Sequence, residues 1–272
     1  MDDPSFTKIL HFFQLSMRGY RRVRKGVKKR LSRHMQELNC REVEDYLQVL
    51  EHRPAELQRA KEFLTVSISR FFRDRHLWEV LTGFMIPELS SASPPCVRVW
   101  CAGCACGEEV YTLKIVWNQE QKKRLELPVL EIWATDINPV VLEKARQGIY
   151  PTSSLKEVPP ALLDLYFLPD PEGFQIREEL KNGIYWEIQD FLSAPPPTDS
   201  FDLIFVRNNL LTYYEPSISL PVLVKMTDAL RWGGYLVIGN NEEIPSEDLP
   251  LKRSPLYRSI FLKTTFPIGG KI

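Results

Sequence analysis

From residue 97 onward, short apolar runs alternate with segments of helical periodicity, and this alternation constrains the fold more than any other feature of the sequence. Apolar runs of this length are typical of parallel strands buried on both faces, and the segments between them are typical of crossover helices. The runs predict strands at 97–101, 130–135, 185–189, 201–206 and 234–238, and a late edge strand at 259–263. The helical segments lie at 108–117, 139–146 and 217–230. We therefore expect a doubly wound α/β sheet.

The remainder of the chain is organised around this sheet. Apolar residues recur at three- and four-residue spacing from 5 to 88, which predicts consecutive helices, and a Ser- and Pro-rich linker at 90–95 closes that region. The strand–helix alternation lapses between 151 and 183, where Pro, Gly and charged residues are frequent. We expect a helical domain at 1–89 and an α/β domain at 96–272 that contains a small inserted subdomain at about 151–184.

Charge and hydropathy exclude several classes of protein. The 35 basic and 35 acidic residues cancel, so no global field favours nucleic acid or an anionic membrane. No run approaches the roughly 18 apolar residues of a membrane helix, and the N-terminus lacks a secretory signal pattern, so we expect a cytoplasmic protein with no membrane insertion. The cluster Cys101, Cys104 and Cys106 lacks a second ligand pair for zinc, so we expect free thiols and no metal.

The first predicted strand runs into a loop of small residues, 102–107, that turns into a helix beginning with Glu108 and Glu109. Ligands of open parallel sheets bind beside such a turn, at the carboxyl ends of the strands. A dinucleotide would place its pyrophosphate on the helix N-terminus, where two carboxylates would repel it. The same carboxylates suit S-adenosylmethionine, which has no phosphate and carries a sulfonium and an ammonium group. Alternatively, both acids lie on the surface and only stabilise the helix dipole.

Polar residues also follow the next three strands. Asp136 is placed to accept both ribose hydroxyls of a nucleotide, or alternatively to cap the helix that opens near residue 139. Asp190 and Phe191 follow the third strand and can bind an adenine amine and ring face, or alternatively are a loop acid and a core aromatic. Arg207 and Asn208 follow the fourth strand, where packing alone does not explain polar residues.

Five strings together resemble the CheR family of chemotaxis-receptor methyltransferases. They are 67–73 (SISRFFR), 107–111 (GEEVY), 134–137 (ATDI), 143–150 (EKARQGIY) and 201–208 (FDLIFVRN), in the order of the family. The resemblance implies a Rossmann-like class I S-adenosylmethionine-dependent methyltransferase sheet, an N-terminal helical domain and a small inserted β subdomain. It also implies methylation of glutamate side chains on the cytoplasmic helices of a chemoreceptor.

Carried over position by position, the resemblance implies a set of cofactor-binding residues, to which Gly103 and Asn208 are added from their loops. The set is Ser67, Ser69, Arg73, Gly103, Glu109, Asp136, Asp190, Phe191, Val206, Arg207 and Asn208. Its cofactor is S-adenosylmethionine, with S-adenosylhomocysteine as product. Ser67 and Ser69 stand where the family has Asn and Thr.

The resemblance further implies that Arg73 and Tyr213 orient the incoming carboxylate. Without a one-residue insertion after Asn208, Thr212 would take the place of the family's tyrosine; we prefer Tyr213 because the insertion keeps residues 213–215 in phase with the family pattern. A glutamate carboxylate is already ionised near pH 7, since its unperturbed pKa is about 4.3, so methyl transfer requires no general base.

A basic run extends from residue 18 to 33, with nine Lys or Arg residues and no acid. In the family a basic N-terminal helix faces an acidic receptor segment, which implies substrate binding by Arg21, Arg24 and Lys28. A solvated helix face is one alternative; nucleic-acid binding is disfavoured because the chain shows no recognised nucleic-acid fold. Two further functions remain open, a methyltransferase with another protein or a small molecule as substrate, and a non-catalytic S-adenosylmethionine-binding module.

Overall fold

A computed structural model describes residues 1–66, 69–91, 94–124 and 127–264. The chain divides into two compact units, one of Met1–Ser67 with Asn208–Ser219 and one of Ile68–Arg207 with Leu220–Ile272. Among the described residues, no helix is long and apolar enough to cross a membrane.

Five helices form the N-terminal part of the first unit. They are α1 (Asp3–Phe12), α2 (Met17–Tyr20), α3 (Arg24–Glu37), α4 (Val43–His52) and α5 (Pro54–Leu64). The Asp2 carboxylate caps α1 by accepting the Ser5 N–H at 2.8 Å, and Pro54 opens α5 at a position where no N–H is needed. Apolar residues at helical spacing, such as Phe6, Ile9 and Leu10 of α1, are fully buried in the core of this unit.

A buried polar network joins three of these helices. His34 of α3 is only 1% exposed; its Nδ1 lies 2.8 Å from the Tyr46 hydroxyl of α4, and its Nε2 lies 2.7 Å from a Glu56 carboxylate oxygen of α5. The hydrogen bond from His34 holds the pKa of Glu56 below its usual value, so this carboxylate remains an ionised acceptor. The imidazole thus satisfies both of its nitrogens inside an otherwise apolar core.

The second unit is built on a seven-stranded sheet and a small three-stranded sheet. The strands are β1 (Cys96–Ala102), β2 (Val129–Asp136), β3 (Ile149–Tyr150), β4 (Phe167–Asp170), β5 (Gly173–Ile176), β6 (Ile184–Ile188), β7 (Phe201–Val206), β8 (Leu230–Ile238), β9 (Leu251–Arg253) and β10 (Ile260–Lys263). The large sheet has the order β6-β2-β1-β7-β8-β10-β9; its first five strands are parallel, and β10 is antiparallel to both β8 and β9.

The remaining helices precede or connect these strands. They are α6 (Arg75–Val80), α7 (Ile86–Ser90), α8 (Glu108–Lys123), α9 (Pro139–Gln147), α10 (Pro160–Tyr166), α11 (Leu210–Tyr213) and α12 (Pro216–Ala229). The small sheet, in the order β3-β5-β4, is antiparallel. It requires glycine at 173, where φ is +141° and a Cβ would lie 2.2 Å from the Tyr150 carbonyl oxygen.

The predicted fold class, a mostly parallel α/β sheet with an N-terminal helical part and a small β insert, is confirmed. Three details differ from the expectation. Helix α8 extends to residue 123 rather than 117, β8 begins at 230 rather than 234, and β9 was not predicted because it has only three residues and no buried side chain. Phe71, Leu77 and Leu81, within the expected helical domain 1–89, pack into the core of the sheet unit. The domain bounds stay predictions.

The His34 network predicts a strong effect of one substitution on stability. His34→Ala leaves the buried Tyr46 hydroxyl and the Glu56 carboxylate without their partner, and we expect it to lower the free energy of unfolding by about 2 kcal/mol. Urea denaturation of the full chain, followed by circular dichroism, measures this change. His52→Ala, at an exposed position of α4, is the control and should change stability by less than about 0.5 kcal/mol. Equal effects of the two substitutions would contradict a structural role for the network.

Candidate functional site

The carboxyl ends of three neighbouring strands meet at one edge of the large sheet. Strand β1 lies between β2 and β7 and is parallel to both, with Ala102 opposite Thr135 and Cys101 opposite Phe205. The turns that follow these strands are therefore adjacent. This is the edge at which open parallel sheets bind ligands.

The loop after β1 is tied to the end of β2 by main-chain hydrogen bonds. The N–H groups of Gly103 and Cys104 both donate to the Thr135 carbonyl oxygen, at 2.8 and 2.9 Å. Gly103 and Gly107 have φ values of +75° and +84°, a backbone conformation that favours glycine. The glycines allow the sharp turn from β1 into α8 that the sequence predicted.

Asp136 holds the two loops together. It is 7% exposed; one carboxylate oxygen accepts the Ala105 N–H and the other accepts the Asn138 N–H, each at 2.9 Å. Burial raises the pKa of Asp136, and the hydrogen bonds from the backbone oppose that shift. The alternative in which Asp136 caps α9 is wrong, because Asn138 does so by accepting the Val140 N–H at 2.9 Å. A carboxylate offers about four acceptor positions, so the N–H groups of Ala105, Asn138 and Ile137 leave room for a further donor such as a ribose hydroxyl.

Arg207, directly after β7, is buried between two carboxylates. Its Nη1 donates to Glu109 at 2.5 Å, and its Nη2 forms an ion pair with Asp74. Burial alone would lower the pKa of Arg207, but Glu109 and Asp74 raise it, so the guanidinium stays charged. Sequence reasoning missed Asp74; the only signal was an acid directly after the string that ends at Arg73.

The two adjacent acids at the start of α8 have different environments. Glu108 is 4% exposed and accepts hydrogen bonds from the Ser69 hydroxyl and, at 3.4 Å, from the Ser154 hydroxyl. Burial raises the pKa of Glu108. Glu109 instead reaches Arg207. The alternative in which both acids lie on the surface is therefore wrong. Of the two, only Glu109 bonds to Arg207, the residue directly after β7.

The residues after β6 are placed near the same edge. The Gln189 N–H donates to the Asp136 carbonyl oxygen at 3.0 Å. Asp190 then accepts the Leu192 N–H at 3.0 Å in a local turn, and the Phe191 ring is buried. These contacts fit both an adenine site and a loop acid beside a core aromatic, so the cofactor roles of Asp190 and Phe191 stay predictions.

Three other predicted cofactor residues are placed as follows. Val206 is fully buried at the end of β7. Arg73 is half-buried and lies between two residues with left-handed backbone, Phe72 (φ +53°) and Asp74 (φ +61°). Ser67 lies outside the described residues.

Within the helical unit, Tyr213 packs against α2. Its ring centroid lies 5.1 Å from that of Tyr20, and its carbonyl oxygen accepts the Ser16 N–H at 2.7 Å. A Cβ at Gly19 would lie 2.6 Å from both the Tyr213 ring and the Thr212 carbonyl oxygen, so glycine is required for this close approach. Asn208, at the start of the same segment, has a φ of +53°. The roles of Tyr213 and Asn208 stay predictions.

The basic run has two distinct faces. Arg24 and Lys28, two of the three predicted substrate-binding residues, form ion pairs with Asp3 of α1, whereas Arg21 is exposed. Sequence reasoning missed this pairing because Asp3 lies outside the run. A separate set, which we call the basic stripe, consists of Lys25, Lys29 and Arg33; all three are exposed, and their four-residue spacing places them on one face of α3.

All five cysteines are free thiols. Cys101 and Cys104 are buried, and burial raises the pKa of both well above the usual value, so both stay protonated. They act as small residues that allow close packing of the loop after β1.

Comparison with known proteins identifies the family. The family model described as "CheR methyltransferase, SAM binding domain" matches residues 67–259, and "CheR methyltransferase, all-alpha domain" matches residues 19–65. The chain is 30% identical over 267 residues to the chemotaxis protein methyltransferase of Klebsiella aerogenes. The alignment covers 91% of this chain and 88% of that protein. It is 34% identical over 181 residues to the chemotaxis protein methyltransferase of Listeria innocua, and the alignment covers 66% of this chain and 67% of that protein.

Another relative is much longer. The chain is 32% identical over 220 residues to an uncharacterized 104.1 kDa protein of Rhodobacter capsulatus, which covers 80% of this chain but only 23% of that protein. The family models together extend over both the helical part and the sheet. The chain therefore belongs to the CheR methyltransferase family, and it is an S-adenosylmethionine-dependent methyltransferase.

Proposed function

We propose that the protein transfers the methyl group of S-adenosylmethionine to glutamate side chains on the cytoplasmic helices of a chemoreceptor and so forms methyl esters. Family membership and the two relatives named chemotaxis protein methyltransferases support this substrate. The observation that carries the proposal is Asp136, a buried carboxylate that joins the loops after β1 and β2 and can accept a further hydrogen bond from a ribose hydroxyl. We place the enzyme in the cytoplasm, where the receptor helices lie.

The residues at the sheet edge suit this cofactor chemically. Asp136 would hold the ribose hydroxyls, and Asp190 with Phe191 would hold the adenine. Glu109 would face the ammonium group of the methionine part. The ion pairs of Arg207 with Asp74 and Glu109 sum to one net negative charge, which is compatible with a cationic ligand and unfavourable for a phosphate.

The chemistry requires alignment more than proton transfer. S-adenosylmethionine supplies a methyl group on a positively charged sulfur. The glutamate oxygen forms a bond to the methyl carbon while the carbon–sulfur bond breaks, and that electron pair stays on sulfur as a neutral thioether. Because the carboxylate is already ionised, the chain's part is to orient it and exclude water, which is worth several kcal/mol of activation free energy. We assign this orientation to Arg73, and Tyr213 retains the same predicted role.

The basic stripe is the surface we propose for the receptor. Lys25, Lys29 and Arg33 recur every four residues, which is about 6 Å along a helix. An acidic receptor helix can present carboxylates at the same spacing. Arg24 and Lys28 are less suited to this role than the resemblance implied, because both already form ion pairs with Asp3.

Asp136→Asn tests the cofactor site. The substitution replaces one acceptor oxygen by an amide that faces an N–H donor, so we expect the dissociation constant for S-adenosylhomocysteine to rise at least about tenfold. Isothermal titration calorimetry measures it. Asp199→Asn, at an exposed loop position, is the matched control and should bind like the wild type. Unchanged affinity of the Asp136 variant would remove this residue from the site.

Arg73→Ala tests the reaction. With methyl-labelled cofactor and receptor, wild-type protein should give label that alkali releases as methanol, the behaviour of a carboxyl ester. We expect the variant to keep its thermal stability and to lose about 100-fold in initial rate. Arg75→Ala, exposed on α6, should retain the rate. Alkali-stable label would indicate another acceptor atom, and cofactor binding without labelled product would indicate a non-catalytic module.

Charge reversal tests the receptor surface. The double variant Lys25→Glu, Lys29→Glu should raise the KM for receptor at least about tenfold, because like charges then face the acidic helix, and it should leave affinity for S-adenosylhomocysteine unchanged. Steady-state kinetics at two salt concentrations measure both KM and its salt dependence. The double variant Lys61→Glu, Lys252→Glu changes the net charge by the same amount at two exposed positions outside α3 and is the control. If both variants raise KM equally, the stripe has no specific role.

A further inference from the structure

The turn that carries Arg73 has an unusual backbone. Phe72 and Asp74, on either side of it, both adopt the left-handed conformation, with φ of +53° and +61°. This conformation is uncommon outside glycine, and for a bulky residue such as Phe it is a clear outlier. Such residues persist only where surrounding structure holds them, and they cluster at functional sites.

Hydrogen bonds from other elements hold the main chain on the N-terminal side of Arg73. The Phe71 N–H donates to the Ser154 carbonyl oxygen of the insert at 3.1 Å. The Phe72 N–H donates to the hydroxyl of Thr112, a fully buried residue of α8, at 3.2 Å. The Thr112 hydroxyl in turn donates to the Glu108 carbonyl oxygen at 2.6 Å, so its orientation is fixed.

The C-terminal side of the turn is held in the same way. The Arg73 carbonyl oxygen accepts the indole N–H of Trp78 at 2.9 Å, and that indole stacks on Phe205 of β7. The Asp74 carboxylate is paired with the buried Arg207. Four successive residues, 71–74, are thus each bonded to a different part of the sheet unit.

We propose that this turn exists to aim the Arg73 side chain, and that Thr112 and Asp74 are its positioning residues. The inference rests on the role of Arg73 in the proposed function. Neither residue need touch the reacting atoms: Thr112 sets the backbone before Arg73, and Asp74 sets the backbone after it.

Core packing offers a simpler explanation for the strain. Phe71 and Phe72 are consecutive and both buried, so the chain must turn sharply between them. In that case the bonds to Thr112 and Asp74 would support stability alone. Loss of either bond would then lower activity by the same factor whether or not Arg73 is present.

The test is a double-mutant cycle between position 112 and Arg73. Thr112→Val keeps the volume of the buried side chain and removes its hydroxyl, whereas Thr112→Ser keeps the hydroxyl and removes a methyl group. We expect Thr112→Val to lower the rate at saturating cofactor about tenfold and Thr112→Ser to stay within about twofold. In the Arg73→Ala background, Thr112→Val should change the rate less than twofold. Equal effects in both backgrounds, or a wild-type rate for Thr112→Val, would overturn the proposal.

A second variant and a second measurement keep the test decisive. If Thr112→Val does not fold, Asp74→Asn replaces it, since Asn tolerates the left-handed backbone and keeps one oxygen that can accept from Arg207 while it loses the charge. The same cycle is also measured as the dissociation constant for S-adenosylhomocysteine. If the wild type labels no receptor glutamate, the proposed function fails. The dissociation constants then decide the positioning role. Non-additive changes in the cycle support that role, and additive changes overturn it.

Discussion

The site depends on the buried guanidinium of Arg207 and its two carboxylate partners. A charge removed from water is tolerated only when it is paired, and removal of one partner of such a pair typically costs about 3–5 kcal/mol. Asp74, Glu109 and Arg207 are far apart in the sequence and come from three segments, a strained turn, the first turn of α8 and the end of β7. Their pairing therefore fixes these segments relative to one another within the sheet unit.

The electrostatics of the edge follow from this arrangement. Arg207 neutralises one of its two partners, and Asp136 adds another carboxylate at the end of β2. The edge is thus acidic. Of the two acids at the start of α8, Glu108 is buried against Ser69 and Ser154, so the charge of the edge does not come from this pair alone. An acidic edge favours a cationic, phosphate-free nucleoside over a dinucleotide, which is the preference expected of a methyltransferase of this family.

The strands were predictable because parallel strands buried on both faces are continuous apolar runs; β1, β2 and β7 lie within about a residue of their predicted bounds. Periodicity identifies a helix but not the core against which it packs, so it did not predict that Phe71, Leu77 and Leu81 pack into the core of the sheet unit. Strand β9 gave no signal because its side chains are not buried.

The placement of polar residues at the edge of the sheet was predictable where a strand end marks them, as for Asp136 and Arg207. Contacts between distant residues were not. Asp3 forms ion pairs with Arg24 and Lys28 from another helix, and Asp74 reaches Arg207 across more than a hundred residues. Glu108 and Glu109 are identical in type, yet consecutive helix positions point about 100° apart, so one is buried and the other reaches the site.

A crystal structure of the protein with S-adenosylhomocysteine tests the central claim most directly. We predict the ribose hydroxyls within hydrogen-bond distance of the Asp136 carboxylate, about 2.7 Å, and the amino acid part beside Glu109. A ligand bound elsewhere, or bound at this edge with its ribose turned away from Asp136, would contradict the account.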